Sequence, residues 1–433
     1  MGASSYPDRL KIMELSKKGL TDRQIAVELG LSIRTVRKWR RILKRGGKVQ
    51  SQMGRPKQGA LSSYPAAMRR TLQGWCQQHP GWGAQTLRTE LSLSEAFANQ
   101  RLPSRATLAR WLKEAGEVRS YEKHSKLPDQ PARSAQVCHE EWEMDARGYS
   151  RVPELGLISL IDINDVYSHV KILSYPCWVG QKRIERSPNT EDYQLALRLA
   201  FSEWGLPERL ATDHDRIFYD ETSKSPFPTR FHLWLVALGV RLQFGRMGRP
   251  TDQGMTERSH QTWASQVLEG PAFACYQALW QALEQRKVFL NQHLPCSSLD
   301  HRPPLQVYPQ ARLTRRPYRP EQEAELLDLE RVRAYLGKGH WFRKVSAVGT
   351  ISIGRHIYQL GYDWRPDRYA ELRFDAQASQ FVCSAPSGKE KLLPVDWLTK
   401  EELMGDLAQF QQIPFQFALP YSVNDWRASF LLA

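Results

Sequence analysis

Hydrophobic residues between positions 6 and 46 recur at helical spacing and predict three helices. Thr21 is placed to cap the middle helix, Gly30 ends it, and Ser32 caps the third. A helix, a short glycine-containing turn and a second helix form the helix-turn-helix arrangement. The polar side of the third helix carries the side chains that base edges and phosphates require: Arg34, Thr35, Arg37, Lys38, Arg40 and Arg41. We therefore expect a DNA-binding domain, with an ordinary basic helical hairpin as the alternative.

A second helical pattern covers residues 63–116. Its last helix begins at Ser104 and ends before Gly116, and Arg105 and Arg110 lie on its polar side. This pattern predicts a second helix-turn-helix-like domain that contacts DNA. A domain with only a packing role is the alternative, because the net charge is milder here than in the first helical segment.

Apolar runs rich in β-branched residues replace the helical pattern in the middle of the chain. Runs at 156–164, 168–175 and 206–213 predict strands of a partly buried sheet, and helical patterns at 190–205 and 256–270 are interleaved with strands. Strands and helices in this alternating order indicate an α/β domain.

Short alternating runs punctuated by glycine at 341–397 predict a small antiparallel β-barrel. With 433 residues the chain is too long for one hydrophobic core. We therefore expect a multidomain α+β protein. Its predicted segments are a helix-turn-helix domain (1–48), a linker (49–62), a second helix-turn-helix-like domain (63–116), a linker (117–139), an α/β core (140–300), a basic connector (301–335), the β-barrel (336–400) and a C-terminal tail (401–433).

The distribution of charge along the chain indicates a binding partner. The formal net charge is +15, and residues 1–60 hold 15 Lys and Arg against 4 Asp and Glu. Positive charge concentrated in this way indicates a nucleic-acid partner, with a solvated basic tail as the alternative. In the first linker, Arg55 and Lys57 belong to a GRPK run that suits an AT-rich minor groove; a plain linker is the alternative reading.

Cysteine spacing and hydropathy indicate the compartment. The six cysteines form no CxxC pair, which argues against a zinc module or a disulfide framework and suits a reducing cytosol. No apolar run approaches the roughly 18 residues of a membrane span, and the N-terminus has no apolar signal region. We expect a cytoplasmic protein without membrane contact.

Three acidic residues are candidates for metal-dependent chemistry on DNA. Asp145 lies in EWEMDARG at the start of the first sheet strands, Asp213 ends the apolar run LPERLATD, and Glu257 begins a helix after a Gly-rich loop. Phosphodiester cleavage can use two metal ions about 4 Å apart, and hard cations such as Mg²⁺ prefer carboxylate oxygens. A lone Asp at a strand end is usually a cap or turn residue, so the hypothesis depends on the combination of all three.

The motifs around these acids resemble the catalytic core shared by retroviral integrases and many bacterial insertion-sequence transposases. They read WEMD, SLIDINDVYSHV, LPERLATDHDRIF and GRPTDQGMTERSHQTW, in the order of that family, and the resemblance covers about residues 140–310. It implies an RNase H-like core in which Asp145, Asp213 and Glu257 are the catalytic residues and the ligands of two Mg²⁺ or Mn²⁺ ions. His-Asp follows Asp213 where the family usually has Asn-Gly, which leaves Asp215 as the alternative second ligand.

The whole architecture is similar to Mu-type bacterial transposases and their insertion-sequence relatives. This implies nicking of mobile-element ends to free 3′-hydroxyls, and joining of these to target DNA. The implied partners are double-stranded DNA (terminal repeats and target), further copies of the chain in a dimer or higher assembly, and an AAA+ ATPase bound through the C-terminal tail. The implied location is the bacterial cytoplasm, at the nucleoid. The alternatives are a catalytically silent helix-turn-helix protein derived from a transposase, and a general nuclease of the same fold.

Overall fold

The structure is a computed structural model that describes residues 5–45, 59–116, 135–218, 220, 225–244 and 254–405. The chain forms two compact units, residues 1–64 and residues 65–433. The predictions for Arg55, Lys57 and nearly all of the C-terminal tail lie outside the described residues. Within the described ranges, no helix combines the length and apolar character needed to cross a membrane.

The first unit contains the predicted helix-turn-helix. Its described part holds α1 (Tyr6–Lys17), α2 (Asp22–Glu28) and α3 (Ile33–Lys44). α2 begins with a capping box in which Thr21 and Gln24 exchange hydrogen bonds, and Ser32 caps α3 by accepting from the Thr35 amide. The apolar faces of the helices share one small core made of Ile12, Ile25, Ala26, Val36 and Trp39. The helix-turn-helix fold predicted for this segment is confirmed.

The second unit begins with helices and continues into an α/β core. The first helices are α4 (Ala66–Gln78), α5 (Ala84–Leu93) and α6 (Arg105–Ala115). The strands of the core are β1 (Glu141–Ala146), β2 (Ser150–Val152), β3 (Gly156–Asp165), β4 (Lys171–Gly180), β5 (Arg209–Thr212) and β6 (Arg241–Phe244). Its helices are α7 (Thr190–Trp204), α8 (Arg230–Ala237), α9 (Gly254–Trp263) and α10 (Tyr276–Gln292). A π-helical turn, Ala264–Leu268, directly continues α9.

The sheet of the core combines antiparallel and parallel pairing. β3 pairs antiparallel with β1, β2 and β4, whereas β1 pairs parallel with β5, and β5 with β6. This strand order is that of the RNase H-like fold, so the predicted fold class is confirmed.

Side chains alternate between the two faces of β3 and enter different cores. Ile161 and Ile163 pack in the same core as Phe201 of α7, whereas Ile158 and Leu160 pack in the same core as Trp263 of α9. α7 and α9 therefore cover opposite faces of the sheet.

Two differences from the sequence expectations affect the site. Residues 141–146 form a strand of their own, so Asp145 lies near the end of β1 and not at the start of the strands. Acidic residues occupy one face of β1 and alternate with the apolar residues of its other face, so the sequence lacks the apolar run by which a buried strand is predicted. The long helix expected over 256–270 is divided at Trp263, where the π-helical turn begins. α10 lies outside the predicted elements.

The C-terminal part packs short helices and strands beside the core. The helices are α11 (Pro304–Val307), α12 (Glu323–Leu326), α13 (Leu329–Leu336) and α14 (Lys400–Met404). The strands are β7 (His340–Lys344), β8 (Thr350–Ile353), β9 (His356–Gln359), β10 (Tyr369–Asp375), β11 (Gln380–Ser384) and β12 (Glu390–Pro394). Among described residues, β12-β11-β10-β7 form an antiparallel sheet and β8-β9 a hairpin. The sequence predicts a small antiparallel β-barrel here; the described strands are antiparallel, as expected, but are divided between two sheets.

The turn between α4 and α5 docks on the π-helical turn that follows α9. The Trp82 indole N–H donates to the Gln266 carbonyl oxygen (3.4 Å), and the Gln266 amide donates to Thr86 Oγ1 (3.2 Å). The Arg286 guanidinium lies over the Trp82 ring, 4.4 Å from its centroid, and pairs with Glu90 at 2.5 Å. The first helices of the second unit are thus anchored directly to the core.

Gly81 in this turn is expected to tolerate no side chain. A Cβ at this position would lie 2.3 Å from the Ser265 carbonyl oxygen. Gly81→Ala must therefore push the turn away from the core, which we expect to lower the free energy of unfolding by about 1–3 kcal/mol. Gly74→Ala in α4 is the matched control, because a Cβ there meets nothing within 4 Å and Ala is the better helix former. Denaturant unfolding midpoints compare the two variants, and equal midpoints would contradict the docked turn.

Candidate active site and DNA-binding surfaces

Asp145 and Asp213 lie at the same edge of the sheet. Asp145 is near the carboxyl end of β1, and Asp213 directly follows β5. β1 and β5 are neighbouring parallel strands. The carboxyl ends of parallel strands meet at one edge, which is where α/β sheets bind ligands. The fold therefore brings together two carboxylates that are distant in the chain.

The electrostatics of the site indicate the same grouping. Burial raises the pKa of the Asp213 carboxyl, a hydrogen bond from the Asp215 amide (3.1 Å) opposes this, and the negative charges of Asp145 and Asp215 raise the pKa further. Burial also raises the pKa of the Tyr193 phenol in α7, and the negative charges of Asp215, Asp145 and Asp213 raise this pKa further. All three carboxylates thus lie within electrostatic reach of one buried tyrosine.

α9 covers the polar face of β1 and β3 through a buried hydrogen-bond network. The Glu143 carboxylate accepts from the amide and the hydroxyl of Thr256. Asn164 Oδ1 accepts from Ser259 Oγ at 3.1 Å and from Lys171 Nζ at 2.9 Å. Burial lowers the pKa of Lys171 to about 8, although nearby acidic groups oppose this shift. The network fixes α9 against the strand that carries Asp145.

His260 of α9 links Asp145 to the buried Asp162. These two aspartates are direct cross-strand partners, so both side chains lie on the face that α9 covers. His260 Nδ1 lies 2.7 Å from Asp162 Oδ2, and Nε2 lies 3.2 Å from Asp145 Oδ2. Burial lowers the pKa of His260, but the hydrogen bonds with Asp145 and Asp162 outweigh it and raise the pKa to about 9. Each ring nitrogen lies within hydrogen-bond distance of a carboxylate oxygen, an arrangement that favours the doubly protonated ring, which donates from both nitrogens.

Glu257 lies at the rim of the same helix face. It is in the first turn of α9, and its side chain is exposed. Residues three apart in a helix differ by about 60° around the axis, so Glu257 neighbours His260 at the border of the inward face. In the described part of the chain, no group of three or more His, Cys, Asp or Glu side chains is arranged to hold a metal ion. The structure groups Asp145 with Asp213 and leaves Glu257 at the rim.

His260 and Tyr193 are site residues that the sequence motifs do not indicate. His260 could have been found, because it follows Glu257 by three residues and so shares its helix face. Tyr193 carries no comparable signal, since nothing in the order of residues relates the first turn of α7 to the ends of β1 and β5.

The donor set suits a hard divalent cation. Mg²⁺ and Mn²⁺ take carboxylate oxygens, and a bound cation would relieve the repulsion that contributes to the raised pKa of Asp213. Asp215 is exposed, and its Oδ1 accepts from the Ile217 amide within the loop at 3.0 Å. Asp145 and Asp213 therefore fit a metal site, and Asp213 is the better placed of the two candidates for the second ligand.

The predicted DNA-binding residues of α3 divide into two groups. Arg37 and Arg40 pair with Asp22 of α2, at 3.3 and 2.7 Å, and the Thr35 hydroxyl hydrogen-bonds with that of Ser32 at 2.8 Å. The other predicted residues of this helix are exposed: Arg34, Lys38 and Arg41. These exposed cations can reach DNA without the loss of an internal contact.

Removing the exposed charges of α3 is expected to weaken DNA binding. The double variant Arg34→Ala/Lys38→Ala leaves the core intact, and each lost phosphate contact should reduce the slope of log affinity against log salt by about 0.9. Lys18→Ala is the matched control, because Lys18 is exposed at the end of α1 and pairs with Glu14. Fluorescence anisotropy of the full chain with duplex DNA at several salt concentrations measures the slope. An unchanged slope in the double variant would remove α3 from the DNA interface.

Arg105 and Arg110 of α6 are also exposed. The described contacts with the π-helical turn come from α5 and the turn before it, through Trp82 and Thr86. The basic side of α6 is therefore left accessible to a nucleic acid.

Comparisons with known proteins concern the fold. Among solved structures, this chain is similar to a chain of the simian T-cell lymphotropic virus intasome in complex with the PP2A regulatory subunit B56 gamma (13% identity, TM-score 0.33, covering 72% of this chain and 97% of that one). It is also similar to the catalytic core domain of BIV integrase (16% identity, TM-score 0.27, 40% and 95%) and to the HTLV-2 integrase catalytic core domain in complex with magnesium (15% identity, TM-score 0.29, 40% and 97%). The family model of homeodomain-like domains matches residues 4–50, in agreement with the helix-turn-helix of the first unit.

Proposed function

We propose that the protein is a DNA transposase of the retroviral-integrase type. It binds the ends of a mobile element, nicks them to free 3′-hydroxyls and joins these to target DNA. Asp145, Asp213 and Glu257 are the catalytic carboxylates, and they hold two Mg²⁺ or Mn²⁺ ions.

The meeting of Asp145 and Asp213 at one edge of an RNase H-like sheet carries this proposal. Burial and the neighbouring charges of Asp145 and Asp215 raise the pKa of Asp213, so the charged form of Asp213 is unfavourable unless a ligand compensates it. The four sequence motifs that surround these acids follow the order of the integrase catalytic core, which supports the same assignment. The homeodomain-like segment supports a DNA substrate.

The chain itself contributes rigid positions for the acidic groups. β1 and β5 each have a strand on both sides, so the sheet restrains the backbone at Asp145 and limits movement of Asp213 just beyond it. α9 is held by the contact of Thr256 with Glu143, and Glu257 lies in the first turn of this helix. When bound, the divalent ions would supply an activated nucleophile and stabilise the leaving oxygen.

The proposed reaction needs more than one copy of the chain. Two element ends must be held together during joining, so we propose a dimer or higher assembly on DNA. α3 and α6 supply the basic surfaces that bind the terminal repeats. An AAA+ ATPase bound through residues 401–433 is proposed from the similarity to Mu-type transposases alone.

A strand-joining assay tests the proposal. The purified full chain is incubated with Mg²⁺ or Mn²⁺, labelled duplexes that carry the DNA flanking its gene, and a target plasmid. Joined product that depends on the metal and on the flanking sequence is the expected result. Binding of the ends without nicking or joining would favour a catalytically silent DNA-binding protein. Degradation without preference for particular ends would favour a general nuclease.

A further inference from the structure

The His260 imidazole is held from its buried side. Its Nδ1 contacts Asp162, which is fully buried and whose other oxygen accepts from Ser174 Oγ at 2.5 Å. A carboxylate fixed by a hydroxyl of β4 and packed under α9 leaves the imidazole little freedom to rotate. Nε2 then lies toward the sheet edge, 3.2 Å from Asp145 Oδ2.

We propose that His260 is a positioning residue of the active site, which fixes the carboxylate of Asp145 through Nε2. This inference rests on the proposed function, in which Asp145 binds metal. The Asp145 side chain is 22% exposed, whereas that of His260 is 13% exposed and that of Asp162 fully buried. The buried Asp162 therefore fixes the orientation of the imidazole. The imidazole in turn fixes the orientation of the more exposed Asp145 carboxylate.

The contact leaves Asp145 able to bind a ligand. Only Oδ2 faces His260, and among the described residues no other group donates to this carboxylate. Groups that hydrogen-bond a metal-ligating carboxylate set its direction, and their loss typically costs about 10–100-fold in metal affinity or activity. We expect a loss of this size when the Nε2 donor is removed.

A purely structural role would depend on the other ring nitrogen. If His260 served only to satisfy the buried Asp162, the donor at Nδ1 would be the essential one. The amide of Asn reaches about as far from the backbone as Nδ1, and the amide of Gln about as far as Nε2, and both amides donate hydrogen bonds. His260→Gln therefore keeps the contact with Asp145, whereas His260→Asn keeps the contact with Asp162.

The experiment compares His260→Gln, His260→Asn and His260→Ala in the full chain. Free Mn²⁺ is measured by electron paramagnetic resonance during titration, strand joining is measured across a range of Mn²⁺ concentrations, and thermal unfolding checks the fold. We expect the Gln variant to retain most of the wild-type Mn²⁺ affinity, and the Asn and Ala variants to lose about 10–100-fold. End binding should be unchanged in all three. His301→Asn is the matched control, because His301 is exposed and its positive φ suits Asn.

The opposite pattern overturns the proposal. Retention by Asn and loss by Gln would assign His260 to Asp162 alone, and wild-type Mn²⁺ affinity in all three variants would leave it no role at Asp145. The Gln and Asn variants answer the question even where the Ala variant fails to fold. Asp145→Asn, measured in parallel, separates this inference from the proposed function: if it binds Mn²⁺ and joins DNA like the wild type, the proposed function itself fails.

Discussion

Asp145→Asn is expected to abolish strand joining and to leave the binding of DNA ends intact. Asn has nearly the shape of Asp but lacks the charge that holds a divalent cation. The charge of Asp145, like that of Asp215, also acts on Asp213 and Tyr193. Loss of this ligand should lower the joining rate by at least about 10³-fold, or roughly 4 kcal/mol of transition-state stabilisation.

Parallel variants test the assignment of the second carboxylate. Asp213→Asn should reduce the joining rate to a similar extent. Asp215→Asn should retain most of the joining activity, because Asp215 is exposed and its carboxylate accepts a hydrogen bond from the Ile217 amide within the same loop. Asp300→Asn is the matched control, since that side chain is 95% exposed. Gel assays with labelled ends measure joining, and anisotropy measures binding. Normal joining by Asp145→Asn would refute the site, and loss in Asp215→Asn with retention in Asp213→Asn would exchange the two candidates.

Glu323→Ala is expected to destabilise the second unit by about 3–5 kcal/mol. Glu323 and Arg198 form a buried ion pair with N–O distances of 2.5 and 2.6 Å, and both side chains are almost fully buried. The same carboxylate accepts from the Trp234 indole at 2.8 Å and from the Tyr318 hydroxyl. Alanine would remove the acceptor of all three donors and leave the Arg198 charge uncompensated in the interior.

The loss of the buried ion pair should also affect the candidate active site, because α7 connects the two. Arg198 lies in this helix together with Tyr193, and it also donates to the Met404 carbonyl oxygen at 3.0 Å. Glu325→Ala is the matched control, because Glu325 is exposed in the same short helix α12. Thermal and denaturant unfolding of the full chain compare the two variants. An unfolding midpoint for Glu323→Ala equal to that of Glu325→Ala would show that the buried pair contributes nothing to stability.

Local patterns in the sequence predicted much of the helical structure and the positions of the acids. Thr21 and Ser32 cap their helices as expected, because a cap depends on residues only a few positions away. The sequence predicts β3 over nearly its full length, because the strand is buried on both faces and rich in Leu and Ile. The hydrophobic pattern does not predict β1 as a strand, because Glu141, Glu143 and Asp145 occupy one of its faces.

The sequence by itself determined the helix-turn-helix, the α/β alternation and the presence of acids next to strand ends. These features follow from propensity, capping and hydrophobic period, which act within a few residues along the chain. Only the tertiary structure decided that Asp145 and Asp213 lie at the same edge of the sheet and that His260 links Asp145 to Asp162. It also decided that the turn before α5 packs on the π-helical turn that follows α9. Those contacts depend on which strands pair and which helix covers which face. No local pattern specifies this choice, because it depends on the burial of the whole core at once.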